Sequence, residues 1–282
     1  SIIKHVAAKK NVLFVASMDN FFAYQFKTPT RPKLLATAPQ FANMQYIATR
    51  LDYTLGIRND SLFVINTQSP ETVGLAAQLV FPNYGLLKIA LRDSTQAYVI
   101  TWDDAAESRL IAIDISDPEN PQVQSDIAIP GQGRDVFAPN NSNKVFVAYY
   151  KNENDRGFRV YDMSNPQEPQ PIAGARTQYV PAAVCGTDST LFVASNKLPE
   201  SVALMKSNPL HMGGMEPDSS MIGSYHFDAQ DNAVHDNSLQ FWGFLWAMHL
   251  YGEYLMASSP FYGLYNIYTP TFALLDMWMH SY

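Results

Sequence analysis

The chain has 282 residues, of which 47% are apolar, 13% aromatic and only 16% charged, with 18 prolines and 14 glycines. That composition supplies a large core, excludes a disordered chain, and favours strands and tight turns over long helices. The net charge of −7 gives no basic surface on which a polyanion would release counterions, so no nucleic-acid partner is expected.

In chain order, the opening SIIKHVAAKK has no apolar run of signal-peptide length. It reads as a strand, IIKHVAA, followed by a KKN turn, a second strand VLFVAS and a third, FFAYQF, that runs into Pro29 and Pro32. The same order then recurs. DYTLGIR, the turn NDS and LFVIN lead to Pro70. LLKIALR, DST and AYVIT lead to RLIAIDISDPENPQ, with Asp114, Pro118 and Pro121. GRDVFAP, NNSN and KVFVAYY lead to FRVYDMSNPQEPQ, with Asp162, Pro166 and Pro169. PAAVCGT, TDS and LFVAS lead to SVALMKSNP and Pro209. FLWAMHL, YGE and YLMAS lead to GLYNIYTP and Pro270.

The aligned prolines lie 41 to 48 residues apart, except for an interval of 61 before the last. Four antiparallel strands repeated at this spacing predict an all-β fold, a β-propeller, because a lone four-stranded blade cannot cover both of its faces. Six proline turns predict six blades, with seven as the alternative if the long interval hides another. The stretch Ser224 to Trp242 within it is half polar and is expected to be an inserted loop in a single domain spanning 1–282. The most apolar segment, FWGFLWAMHLYGEYLMASS, is broken by Glu253, so no transmembrane segment is expected.

DISDPENP and DMSNPQEP, each preceded by an apolar run and followed by a strand, resemble the LVIVD repeat, an aliphatic strand followed by Asp-aliphatic-Ser-Asn/Asp-Pro, two residues and Pro. The resemblance implies a β-propeller of a kind usually found in extracytoplasmic or cell-surface proteins, periplasmic ones included. It implies no catalytic residues. On the residues themselves, Asp114 and Asp162 are expected to accept backbone N–H groups ahead of them, and the prolines to fix the turn.

Chemistry must then come from residues that do not repeat. His226, Asp228, Asp231 and His235, with Asp236 and His211 nearby, are candidate metal ligands, although their spacing fits no compact metal motif. Asp103, Asp104 and Glu107, and Glu153, Asp155 and Arg156, fall in loops between the second and third strands. They suit calcium chemically but read as a solvated rim. His5 and His249 occupy equivalent first strands and could face a central channel. Cys185, the single cysteine, sits in an apolar run and reads as a buried thiol. Asn59-Asp-Ser61 and Asn140-Asn-Ser142 are glycosylation sequons, placed in turns between first and second strands. The dense C-terminal aromatics read mainly as core, with an exposed subset as a partner surface.

No cofactor is expected, and a divalent cation such as calcium is the one that these residues would suit. The reading that best fits the sequence is a non-enzymatic extracytoplasmic scaffold that binds a protein or a glycan, or assembles with copies of itself. The competing reading is a metal-dependent hydrolase or lyase with its site at the propeller channel.

Overall fold

The computed structural model describes residues 2–26, 31–50, 52–102, 107–198, 219–259 and 263–278. The first sheet contains Ile3–Lys9 (β1), Val12–Ser17 (β2), Phe21–Phe26 (β3) and Pro32–Ala38 (β4). The second contains Tyr46–Arg50 (β5), Tyr53–Arg58 (β6), Ser61–Asn66 (β7) and Gly74–Val80 (β8). The third contains Gly85–Leu91 (β9), Gln96–Trp102 (β10), Arg109–Asp114 (β11) and Gln122–Ala128 (β12). The fourth contains Gln132–Phe137 (β13), Lys144–Asn152 (β14), Asp155–Asp162 (β15) and Gln170–Arg176 (β16). The fifth contains Val180–Gly186 (β17), Thr190–Asn196 (β18), Ser220–Phe227 (β19) and Ala233–Phe241 (β20). The sixth contains Ala247–Tyr251 (β21), Tyr254–Ser259 (β22), Gly263–Tyr268 (β23) and Ala273–Trp278 (β24). All six sheets are antiparallel, each is built from four consecutive strands, and they are the blades of a six-bladed β-propeller. Among the described residues there is no α-helix, only a short 3-10 turn at Pro39–Phe41.

The chain divides into two compact units, Ser1–Asp103 with Arg109–Ile127 and Asp104–Ser108 with Ala128–Tyr282. In the first unit, Phe14, Phe21, Phe41, Met44 and Phe63 fill the space between sheets one and two. Leu55, Leu62, Val64, Ile89, Val99 and Ile111 fill the space between sheets two and three. Successive residues of β7 therefore serve different cores: Leu62 and Val64 on one side, Phe63 and Ile65 on the other. In the second unit β18 does the same, with Leu191 and Val193 against sheet four and Phe192 and Ala194 against sheet six. A strand buried on both faces reads as a continuous apolar run, which is why LFVIN and LFVAS stand out in the sequence. Each such buried side chain contributes about 1.5–3 kcal/mol. The fourth strands alternate between exposed and half-buried residues, as the edges of their sheets.

The repeated turn has one construction. Asp114 Oδ1 accepts the Ser116 N–H at 2.8 Å, and Asp162 Oδ1 accepts the Ser164 N–H at 2.9 Å and its hydroxyl at 2.6 Å. A second turn follows with proline at its second position, closed by Asn120 N–H to Asp117 O and by Glu168 N–H to Asn165 O, both at 3.0 Å. The same closure recurs around Pro70 (Thr72 to Ser69) and around Pro270 (Phe272 to Thr269). Pro118, Pro166 and their counterparts supply the fixed φ that this position needs. Pro121 and Pro169 stand immediately before the edge strands β12 and β16, where a missing donor costs no ladder bond.

The structure corrects the sequence reading in three places. The stretch 224–242 is not an inserted loop: most of it lies in β19 and β20, which pair over their whole length. Within it, Tyr225 of β19 and Phe241 of β20 are buried, which no polar insertion would provide. The third strand of the fifth sheet is therefore Ser220–Phe227 and not SVALMKSNP, whose Pro209 lies outside the described residues. In the second sheet, Tyr46–Arg50 is the first strand, so DYTLGIR and LFVIN move to second and third place. The Asn59 sequon accordingly sits between the second and third strands, while the Asn140 sequon sits between the first and second.

Candidate interaction surfaces

The four residues singled out as metal ligands sit at one end of the β19–β20 hairpin, but each is engaged separately. Asp228 builds the turn. Its Oδ1 accepts the N–H groups of Gln230 and Asn232 at 2.9 and 2.8 Å, and its Oδ2 accepts the Asn232 side-chain amide at 2.9 Å. These bonds, that from the Asn232 side chain foremost, hold its carboxyl below the usual carboxylate range. Asp231, in the left-handed region at φ 59°, pairs with Lys144 Nζ of β14 at 2.7 Å. His226 Nδ1 meets Asp236 Oδ1 at 2.6 Å, whereas His235 packs its ring on Tyr225 and reaches Ser238 Oγ at 3.1 Å. Among the described residues, no three His, Cys, Asp or Glu side chains converge as a metal-holding group.

The other expected sites disperse in the same way. Glu107 is exposed, and Asp103, Asp104 and His211 lie outside the described residues. Asp155 accepts the Tyr149 hydroxyl at 2.8 Å, and Arg156 caps the carbonyls of Thr177 and Gln178. Cys185 is buried, and burial pushes its thiol well above the ordinary range. Asn59 and Asn140 are both exposed. Ser61 donates to Asp60 Oδ1 at 2.9 Å, and Ser142 is hydrogen-bonded to the Asp188 carboxylate.

His5 and His249 differ although their strands correspond. His249 is exposed on β21. The His5 ring packs on that of Tyr46 with centroids 3.8 Å apart, its Nδ1 faces the Ile47 N–H at 3.4 Å, and Lys88 Nζ lies 4.7 Å above the Tyr46 ring. First strands of successive sheets thus carry a small polar stack, His5 of β1, Tyr46 of β5 and Lys88 of β9. Burial first, and the Lys88 charge second, lower the His5 pKa to about 4.

Two surfaces remain that involve none of these candidate residues. The first is a row of tyrosines across the sixth sheet. Tyr251 and Tyr254 face each other across the Gly252–Glu253 turn, and Tyr254 lies opposite Tyr268, ring centroids 5.8 Å apart. Tyr251 is 73% exposed and Tyr254 45%. Gly252 adopts φ 59°, the left-handed conformation that this two-residue turn needs. The pattern Tyr-Gly-Glu-Tyr was the available signal, since a two-residue hairpin turn sets its flanking residues side by side.

The second is a groove of about 430 Å³ on the fourth sheet, lined by Tyr149 of β14, Phe158 and Arg159 of β15, and Pro171–Arg176 of β16. Gly157 lies opposite Arg176, and Gly174 lies opposite Arg159. Directly opposed residues share a face, so Gly174, a position without a side chain, lies in the lining between Arg159 and Arg176. The Arg159 guanidinium stands 5.8 Å from the Tyr149 ring centre, and Arg176 donates to Glu153 O at 2.7 Å.

No protein-family model matches the chain, and no curated protein matches it. Solved structures do share its fold. A functionally unknown protein from Desulfotomaculum acetoxidans gives a TM-score of 0.72 over 98% of this chain and 84% of its own, at 12% identity. Hsv2 from Kluyvelomyces marxianus gives 0.63 over 99% and 76%, at 9% identity. The N-terminal domain of Nup159 gives 0.60 over 98% and 76%, at 10% identity. At these identities the likeness is one of fold alone.

Proposed function

We propose that the chain is a protein-binding β-propeller scaffold of the LVIVD-repeat type, acting outside the cytoplasm. The observation that carries the binding role is the tyrosine row of the sixth sheet. Tyrosine offers a large, rigid contact with only two side-chain torsions to immobilise, and such rings are enriched where binding energy concentrates. Here Tyr254 is held against Tyr268, and Tyr251 stands beside it with most of its surface open to solvent. The repeated turns at Asp114–Pro121 and Asp162–Pro169 support the family and the location, because the repeat they resemble is usually extracytoplasmic. The exposed acceptors Asn59 and Asn140 are compatible with that route.

A photo-crosslinking amino acid placed at Tyr251 tests this role, with the same residue at Lys10, an exposed turn of the other unit, as control. In extract from the source cell, position 251 forms a discrete protein adduct that position 10 does not form and that Tyr254→Ala abolishes. An adduct of twice the chain mass would identify the partner as a second copy. If position 251 yields nothing beyond the control, the reading fails.

A further inference from the structure

We propose that the groove on the fourth sheet binds an extended acidic segment of a partner protein, with Arg159 and Arg176 reading carboxylates at alternate positions. This site is separate from the tyrosine row, and either can fail without the other.

The chain carries a net charge of −7, yet the groove is lined by two arginines and no carboxylate. Among the described residues neither guanidinium takes part in an ion pair. Arg176 uses one N–H on a carbonyl, which leaves most of its five donors for a ligand. A guanidinium so placed favours an anion that it can grip with two parallel bonds, as a carboxylate allows.

The shape sets the rest of the ligand. Six consecutive residues of β16, from Pro171 to Arg176, form one wall. At about 3.3 Å per residue that wall is roughly 20 Å long, far longer than a single small anion. Gly174 brings no side chain to the lining, and Gly157, buried opposite Arg176, has none either. Both are held to that state: a Cβ on Gly157 would lie 2.0 Å from Ala175 O, and one on Gly174 would lie 2.7 Å from Phe158 O. β16 is the outermost strand of its sheet, with one main-chain edge unpaired in that sheet. A narrow, extended chain fits a long wall at a sheet edge.

The spacing fixes the pattern. Arg159 stands at the level of Gly174, and Arg176 is two residues further along β16 on the same face. The two positions are therefore about 7 Å apart along the strand direction. An extended peptide with acidic residues at i and i+2 presents its carboxylates on one side at that same interval. Acidic residues at i and i+1 point to opposite sides, and at i and i+3 they do so again.

The experiment uses the full chain and three fluorescein-labelled peptides of equal length, read by anisotropy. One has glutamate at alternate positions, one has glutamine there, and one has the same number of glutamates in adjacent pairs. The alternate-glutamate peptide is expected to bind at least about tenfold more tightly than the other two, as two charge-assisted contacts imply. Arg159→Gln and Arg176→Gln should each weaken it by about tenfold, and added salt should weaken it further. Both arginines are at least partly solvent-exposed, and an unchanged thermal melt will show that the variants fold. The proposal is overturned if all three peptides bind alike, or if both variants bind as the parent does. It is equally overturned if an oligogalacturonate binds through these arginines while no peptide does, which would make the ligand an acidic glycan.

Discussion

Replacing His5 should change how stability depends on pH, not only how stable the protein is. An unfolded histidine titrates near 6.5, whereas His5 in the fold titrates at about 4. Below pH 6.5 the unfolded chain takes up a proton that the folded chain refuses until about pH 4. The folded state is thus favoured most above pH 6.5. That advantage is lost progressively as the pH falls to about 4, and it levels off below. A gap of about 2.5 pKa units corresponds to roughly 3.4 kcal/mol at most. Protonation would also remove the Nδ1 lone pair that faces the Ile47 N–H.

The assay is urea unfolding at several pH values between 7.5 and 4, run in parallel on the parent and on His5→Phe. Phenylalanine keeps an aromatic ring against Tyr46 and leaves the Ile47 N–H without its acceptor at every pH, so its direct cost is a constant offset. The carboxylates titrate alike in both chains and cancel in the difference. The parent's stability relative to the variant should fall by about 2–3 kcal/mol from pH 7 to pH 4. Parallel curves would refute the reasoning. Lys88→Met supplies a second check, because removing the opposing charge should raise the His5 pKa seen by NMR.

Three further outcomes follow from single contacts. Asn196 is fully buried at the end of β18, and its amide pairs both ways with Leu245, donating to its carbonyl at 2.8 Å and accepting its N–H at 2.9 Å. Asn196→Ala strands both groups, so the urea midpoint should drop by the equivalent of about 2–4 kcal/mol. Gly157→Ala forces either a conformation that L-residues avoid or the parting of β15 from β16, and should cost more than about 2 kcal/mol, read as a lower melting temperature. The Cys185 thiol should ignore an aromatic disulfide reagent in the native protein and react at once in denaturant; rapid native reaction would contradict its burial.

What the sequence showed of the fold depended on how local the device was. The turn after β11 or β15 is a run of eight residues in which two side chains cap backbone groups and two prolines set φ, so its whole mechanism lies in consecutive letters. Where another device makes the same turn, the letters mislead. The fifth sheet turns on Asp228, Asn232 and a left-handed Asp231, with no proline. SVALMKSNP imitates the repeat but is not that sheet's third strand. Tyr46–Arg50 escaped notice because it is short and half-buried, and its Thr49 and Arg50 are polar. The groove was illegible for a different reason. Gly174 matters because Arg159 stands opposite, and that register depends on a bulge between Val160 and Tyr161 that no spacing rule reveals.

The same distinction separates the repeated residues from those that join neighbouring sheets. In β1 the ladder shifts between Ile3 and His5, and the His5 side chain reaches the Ile47 N–H of β5. In β13 it shifts between Gly133 and Asp135, and Asp135 Oδ2 accepts the Val184 N–H of β17 at 2.9 Å. The bulge re-aims a side chain from one first strand to the backbone of the next, and any acceptor of suitable reach can serve. A histidine does so in one unit and an aspartate in the other. Both contacts need an acceptor at the right place, which an imidazole nitrogen and a carboxylate oxygen each supply. The repeat in the sequence therefore marks the turns that are built on proline while remaining silent about what fastens one blade to another, and it is equally silent about the groove and the tyrosine row.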